Sequence, residues 1–199
     1  MFCLAITGGI GSGKSYVVRL MEAFGFPAYI ADIRAKGLYK SDNNLMNTLV
    51  NLLGPEIVVN GELQKEVMAS KIFRDKWILR EVNKIVHPLV MKDFLTWRES
   101  KKSEGFNTIL FESAIFFETP EFHDIADKVV VVVAPESVRI SRVMKRDSIS
   151  EELVRERIAK QWSDEDRIKM ADFIIFADGK RAIMPQIIKI FEATGIVIN

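Results

Sequence analysis

An apolar run, Phe2-Cys3-Leu4-Ala5-Ile6-Thr7, leads straight into Gly8-Gly9-Ile10-Gly11-Ser12-Gly13-Lys14-Ser15. The octet fits G-x-x-x-x-G-K-[ST] at every position. Few sequence features restrict a fold as tightly. The glycines let the backbone curl so that successive N–H groups face an anion, and a helix starting at the end of the loop adds its positive pole. The context agrees: a buried strand precedes the loop, and Val17, Leu20, Met21 and Phe24 repeat at helical spacing after it, with Gly25 as a stop. A chance match of this pattern in 199 residues is on the order of one in a hundred. The loop therefore predicts a nucleoside triphosphate site. Gly9, Ile10, Gly11, Ser12 and Gly13 would cradle the phosphates, Lys14 would reach the β- and γ-phosphates, and Ser15 would bind Mg²⁺. Tyr16 shows no chemistry of its own and reads as helix packing, although its position counts it with the nucleotide contacts.

The rest of the chain alternates β-rich and helical patterns. Continuous apolar runs at 2–7, 27–32, 108–113, 128–134 and 172–178 read as strands buried on both faces, as in a parallel sheet. Ile183, Ile187, Ile190, Phe191 and Thr194 mark a helix stopped by Gly195. Ile78, Val82, Ile85, Val86 and Leu89 form another stripe, which Pro88 is expected to break. The pattern is that of an α/β, doubly wound, single-domain chain. Residues 34–107 hold helical patterns and no convincing strand, and read as a helical insertion. Residues 136–170 mix both charges and read as an exposed helical pair, a candidate lid. The core is then 1–33, 108–135 and 171–199.

Composition bounds the partners. Lys+Arg 28 against Asp+Glu 27 gives a net charge of +1, which speaks against a dedicated nucleic-acid binder. Cys3 is the single cysteine, so no intrachain disulfide can form, and its apolar neighbours predict a buried thiol. No signal-like or membrane-spanning run is present. A soluble, cytoplasmic protein is expected, as a monomer or weak homo-oligomer without nucleic-acid or membrane partners.

The loop alone does not name a reaction. The guanine-reading Asn-Lys-x-Asp element of GTPases is absent, since Asn83-Lys84 is followed by Ile85 and Val86. Chain size, the helical insertion and the lid pattern point to a small-molecule kinase. Asp32 follows the second candidate strand, where ligands bind in such sheets. It can serve as a base for an attacking hydroxyl or as the N-cap of a helix starting at Ile33. Glu112 ends the apolar TILF and is either a carboxylate behind Mg²⁺ or a surface acid at a strand end. Arg142, Arg146 and Arg157 could close over phosphates, although each one singly also fits a solvated helix face.

Together, in order along nearly the whole chain, these segments resemble the dephospho-coenzyme A kinase family. TGGIGSGKS at 7–15 is similar to that family's opening. YIADIRAK at 29–36 resembles D-A-D-x-x-A-R, with Asp32 on the second aspartate, Ile30 replacing the first and Lys36 replacing the arginine. GELQKEVMASKIF at 61–73 resembles G-x-L-D-R-x-x-L-x-x-x-x-F, with Gln64 and Lys65 in place of Asp-Arg. VNKIVHPLV at 82–90 resembles the helix with the His-Pro pair, and FESAIFFE at 111–118 the acidic-x-P-L-L-F-E segment, with Ala114 for proline. RVMKRD at 142–147 and RIAKQ at 157–161 resemble the lid motifs, and ADFIIFADG at 171–179 resembles A-D-x-V-I-x-N-x-G, with Ala177 for asparagine.

The resemblance implies a three-layer P-loop kinase fold with a five-stranded parallel core sheet, a helical acceptor-binding insertion and a helical lid. It implies transfer of the γ-phosphoryl of ATP to the ribose 3′-hydroxyl of dephospho-CoA, giving CoA and ADP. Asp32 would be the base, with Lys14, Arg142 and Arg146 on the transferring group. Arg142 and Gly179 would join the loop in binding ATP. Asp32, His87, Glu118 and Arg157 would face the acceptor, and Ser15 and Glu112 would hold Mg²⁺. The alternatives are a kinase of similar architecture acting on another acceptor, such as a nucleoside monophosphate, and a non-catalytic ATP-binding regulator.

Overall fold

Contiguous apolar segments can satisfy their backbone groups only beside one another, and five of them do so in one sheet. In the computed structural model, which describes residues 1–197, β1 (Phe2–Thr7), β2 (Ala28–Ile30), β5 (Thr108–Glu112), β6 (Lys128–Val133) and β7 (Phe173–Phe176) pair in the order β2-β5-β1-β6-β7. All four pairings are parallel. The two-residue strands β3 (Val58–Val59) and β4 (Glu62–Leu63) form a separate antiparallel hairpin. The helices are α1 (Lys14–Glu22), α2 (Ala31–Ser41), α3 (Asn43–Leu53), α4 (Lys65–Arg74), α5 (Lys76–Ser103), α6 (Glu136–Asp147), α7 (Glu151–Ala159), α8 (Asp164–Met170) and α9 (Ile183–Thr194). The side chains of Lys65 and Phe73 lie outside the described residues. Among the described residues no helix is long and apolar enough to cross a membrane.

The chain divides into two compact units, Met1–Ile30 with Arg98–Asn199, and Ala31–Trp97. In the first, Val17, Val18 and Met21 of α1 and Ile187, Ile190 and Phe191 of α9 share a core with Leu4, Ile6, Leu110, Val130, Val132 and Ile175 of the strands. Burial of these side chains on a common face is what the hydrophobic effect rewards, at about 1.5–3 kcal/mol for each large one. A second set, Tyr29, Phe111, Phe116 and Phe122, is aromatic, with Tyr29 stacked on Phe111 and Phe122 edge-on to it. Cys3 is buried, and burial, followed by the charge of Asp127, pushes its thiol up to about 12. It is an inert structural group, as its neighbours predict.

Four expectations change. The helix does not break at Pro88, because α5 runs through it. The ring costs one backbone bond, but buried Val82, Val86, Val90 and Phe94 continue the apolar stripe on both sides. Residues 34–107 do contain strands, the β3–β4 hairpin. Its turn is Asn60-Gly61, with φ of 53° and 79°, the strongest short-range hairpin signal, and its arms are too short to register as apolar runs. The second strand ends at Ile30, the last residue paired with β5, so Ala31 and Asp32 already belong to α2. Residues 136–170 form three helices rather than an exposed pair. Ser150 and Ser163 cap the second and third, and Ile140, Val143 and Val154 bury a small core against Ile10 of the glycine loop.

Candidate active site

The loop and its lysine are held by charge. Lys14 is buried at the start of α1, and its Nζ donates to the carbonyls of Gly8 at 2.8 Å and Gly9 at 3.3 Å. Arg139 and Arg142, one turn apart on α6, complete the set. Arg139 Nε donates to Ile10 O at 3.0 Å, and Arg142 Nη1 to Gly11 O at 3.3 Å and Ser12 O at 3.1 Å. Each carbonyl from Gly8 to Ser12 thus meets a cationic side chain. Gly8 is required by close approach, since a Cβ there would stand 2.2 Å from the Val132 carbonyl oxygen, at a φ of 147°. Two hydroxyls at the loop, Ser12 Oγ and Thr7 Oγ1, are buried with no hydrogen-bond partner among the described residues. Buried polar atoms are rarely left so without a ligand or water to satisfy them.

A cleft of about 610 Å³ adjoins the loop, lined by Gly13, Tyr16, Arg142, Ala177, Gly179 and Arg181, among others. Tyr16 is 51% exposed and faces this cleft, which corrects its reading as helix packing. Arg142 Nη2 donates to Ala177 O at 2.8 Å and so ties the cleft wall to the loop. The turn after β7 is ordered by Asp178, whose Oδ1 accepts from Lys180 N and Arg181 N at 2.9 Å each. The bond from the Arg181 N–H, then that from Lys180, holds the Asp178 carboxyl below its usual range. Arg181 lies over the Phe176 ring, 4.2 Å from its centroid.

The two predicted metal ligands both bear oxygen. Glu112 is buried at the end of β5, opposite Ile6, two residues before the loop begins. Ser15 presents an exposed hydroxyl in the first turn of α1. Among the described residues no group of three or more His, Cys, Asp or Glu could hold a metal.

The other predicted residues fall in three places. Arg146 and Arg157 meet at Asp147, through Arg146 Nε to Oδ1 at 2.7 Å and Arg157 Nη1 to Oδ2 at 3.1 Å. The Arg146 bond is the main cause of an Asp147 carboxyl held low. Exposed pairs of this kind contribute little to stability. Asp32 and His87 belong to the second unit, Asp32 exposed in the first turn of α2 and His87 half-buried beside Pro88 in α5. Burial, followed by the charge of Asp32, pushes the Tyr39 phenol up. Glu118 accepts from Arg167 Nη2 at 2.9 Å and from Trp162 N at 3.2 Å.

Sequence reasoning overlooks Arg139, Arg167, Thr7 and Tyr39. The two arginines sit among mixed charges and read there as surface, yet both are buried. Arg167 also donates to Trp162 O at 2.6 Å. Removing one partner of a buried pair strands the other. Arg167→Met is therefore expected to destabilise the fold by about 3 kcal/mol. A shift in the denaturant midpoint checks this, and an unchanged midpoint would refute it.

Comparison with known proteins places the chain. The family model described as dephospho-CoA kinase matches residues 2–182. The chain is similar to a dephospho-CoA kinase of Bacteroides fragilis, 38% identical over 187 residues, covering 94% of this chain and 90% of that one. It is 37% identical to a dephospho-CoA kinase of Porphyromonas gingivalis over 193 residues, 96% and 94% of the two chains. The crystal structure of TT1252 from Thermus thermophilus superposes with a TM-score of 0.83 at 28% identity, covering 97% of each chain. With its parallel sheet, its cation-held glycine loop and these relatives, the chain belongs to the dephospho-CoA kinase family.

Proposed function

We propose that this protein transfers the γ-phosphoryl group of ATP to the ribose 3′-hydroxyl of dephospho-CoA, and that its residues divide the work as follows. The loop carries the ATP half of the reading, through a buried Lys14, glycines closed upon by arginines, and buried hydroxyls without partners among the described residues, and membership of the family carries the acceptor. Such an array offers donors and positive charge where a triphosphate carries its negative charge.

Lys14 and the loop backbone hold the β- and γ-phosphates. Ser15 and Glu112 would hold Mg²⁺, whose chemistry when bound is to neutralise charge on the phosphate oxygens. Arg142 holds the loop to the cleft wall at Ala177, and Tyr16 and Gly179 border the same cleft, where the base and ribose of ATP would lie. Arg146 is released from Asp147 onto the transferring group, as is Arg157 onto the acceptor. Asp32 orients the 3′-hydroxyl and takes its proton as the oxygen attacks phosphorus in line. His87 and Glu118 serve the acceptor. Phosphoryl transfer needs little covalent help from protein, so positioning and charge carry the catalysis.

The test is release of ADP from ATP and Mg²⁺ with a panel of acceptors. Dephospho-CoA is expected to be the substrate. Success with a nucleoside monophosphate alone would assign another kinase reaction, and tight ATP binding with no transfer to any acceptor would assign a regulator.

A further inference from the structure

The glycine loop is held on both sides of a residue without polar side-chain chemistry. Ile10 donates its N–H to Gln161 Oε1 at 2.8 Å and gives its carbonyl to Arg139 Nε at 3.0 Å. Its side chain packs against Ile140, Val143 and Val154. The holding group is itself held. Arg139 is buried, and its Nη1 donates to Asp164 Oδ2 at 3.0 Å. Asp164 also pairs with Arg167 at 3.5 Å, and Arg167 with Glu118 at 2.9 Å. A chain of alternating charges therefore runs from Glu118 to the loop.

The next residue explains why such a hold is needed. Gly11 has φ of 76°, and a Cβ there would come within 2.5 Å of Arg139 O. Only glycine fits, yet glycine also leaves the Ile10–Gly11 peptide free to rotate. That peptide is trans and planar, so its C=O and N–H point to opposite sides. Holding the carbonyl on Arg139 sends the Gly11 N–H the other way. Release of the carbonyl would let the plane turn and present an oxygen where a donor is needed.

We propose that Arg139 is a positioning residue for ATP, fixing the Ile10–Gly11 peptide in the orientation that the triphosphate requires. The proposal rests on the reading of the loop as an ATP site. It acts through the backbone, and the distinguishing atom is Nε. Arg139→Gln sets an amide nitrogen where Nε stands and keeps a donor for Ile10 O. Arg139→Met keeps length and removes every donor.

The test is calorimetric titration with a non-hydrolysable ATP analogue and Mg²⁺, with no acceptor present. Arg139→Met is expected to weaken binding about tenfold, the order of one charge-assisted hydrogen bond, and Arg139→Gln to recover most of that loss. A merely structural role would lower the melting temperature and the active fraction but leave the dissociation constant of the folded protein unchanged. Wild-type affinity in Arg139→Met, or equal weakening in both variants, would overturn the proposal. Should Arg139→Met not fold, Arg139→Lys keeps a charge but sets a methylene where Nε stands, with about threefold weaker binding expected and wild-type affinity overturning the proposal. The wild-type titration separately tests the ATP reading, and omission of acceptor keeps the result independent of which acceptor is used.

Discussion

Lys14→Met is expected to lower phosphoryl transfer by about 10²–10³-fold, the loss found when a preorganised charge at a developing anion is removed. Lys14 is the one member of the loop that brings a full charge, and it stands buried against the Gly8 and Gly9 carbonyls. Its removal takes away both the charge facing the phosphates and a restraint on the loop. Folding should not suffer in proportion. Removing the ammonium relieves its desolvation cost but strands the Gly8 and Gly9 carbonyls, at about 1–3 kcal/mol for a stranded group, and the two effects oppose. The informative pair of measurements is therefore ADP release at saturating ATP and the melting temperature. A large loss of turnover with at most a modest drop in melting temperature is the expected result. Turnover within a few-fold of wild type would remove Lys14 from the mechanism.

Asp32→Asn is the second large effect. Turnover should fall by roughly 10²–10⁴-fold, the range for loss of a positioned proton acceptor. The ATP dissociation constant should stay within about twofold, because an interaction made only with the attacking hydroxyl leaves donor binding alone. Asp32 is exposed in the first turn of α2, where a carboxylate adds at most about 1 kcal/mol to the helix. Asparagine keeps the shape, so a folding defect cannot account for a loss of that size. Near-normal turnover would reduce Asp32 to a helix-terminus residue. Tyr39, whose phenol responds to the Asp32 charge, gives a control: Tyr39→Phe should cost much less than Asp32→Asn if proton transfer belongs to the aspartate.

The parts of this molecule that sequence made legible share a property. The loop is eight contiguous residues whose backbone conformation depends on their own glycines, and the strands are contiguous apolar runs. Gly195, with φ of 68°, ends α9 where expected. The failures have different causes. Pro88 breaks a helix by local sterics alone, whereas burial along Val82, Val86, Val90 and Phe94 carries α5 past it. The Asn60-Gly61 hairpin was legible in its turn, and its two-residue arms concealed it. Arg139 and Arg167 gave no usable signal, since basic residues in a mixed-charge segment are exposed in most proteins.

The sequence by itself determined that a triphosphate loop would stand between a buried strand and a helix, and that the ordered motifs are those of one kinase family. Both are properties of neighbouring residues and of their order. Only the tertiary structure decided which cations close on the loop. Arg139 lies 129 residues from Ile10, and Arg142 lies 131 from Gly11. Such pairings depend on α6, which the fold packs beside the loop. A lone arginine's charge is visible in the sequence; its burial, and the carbonyl it meets, are set by the packing that excludes water around it.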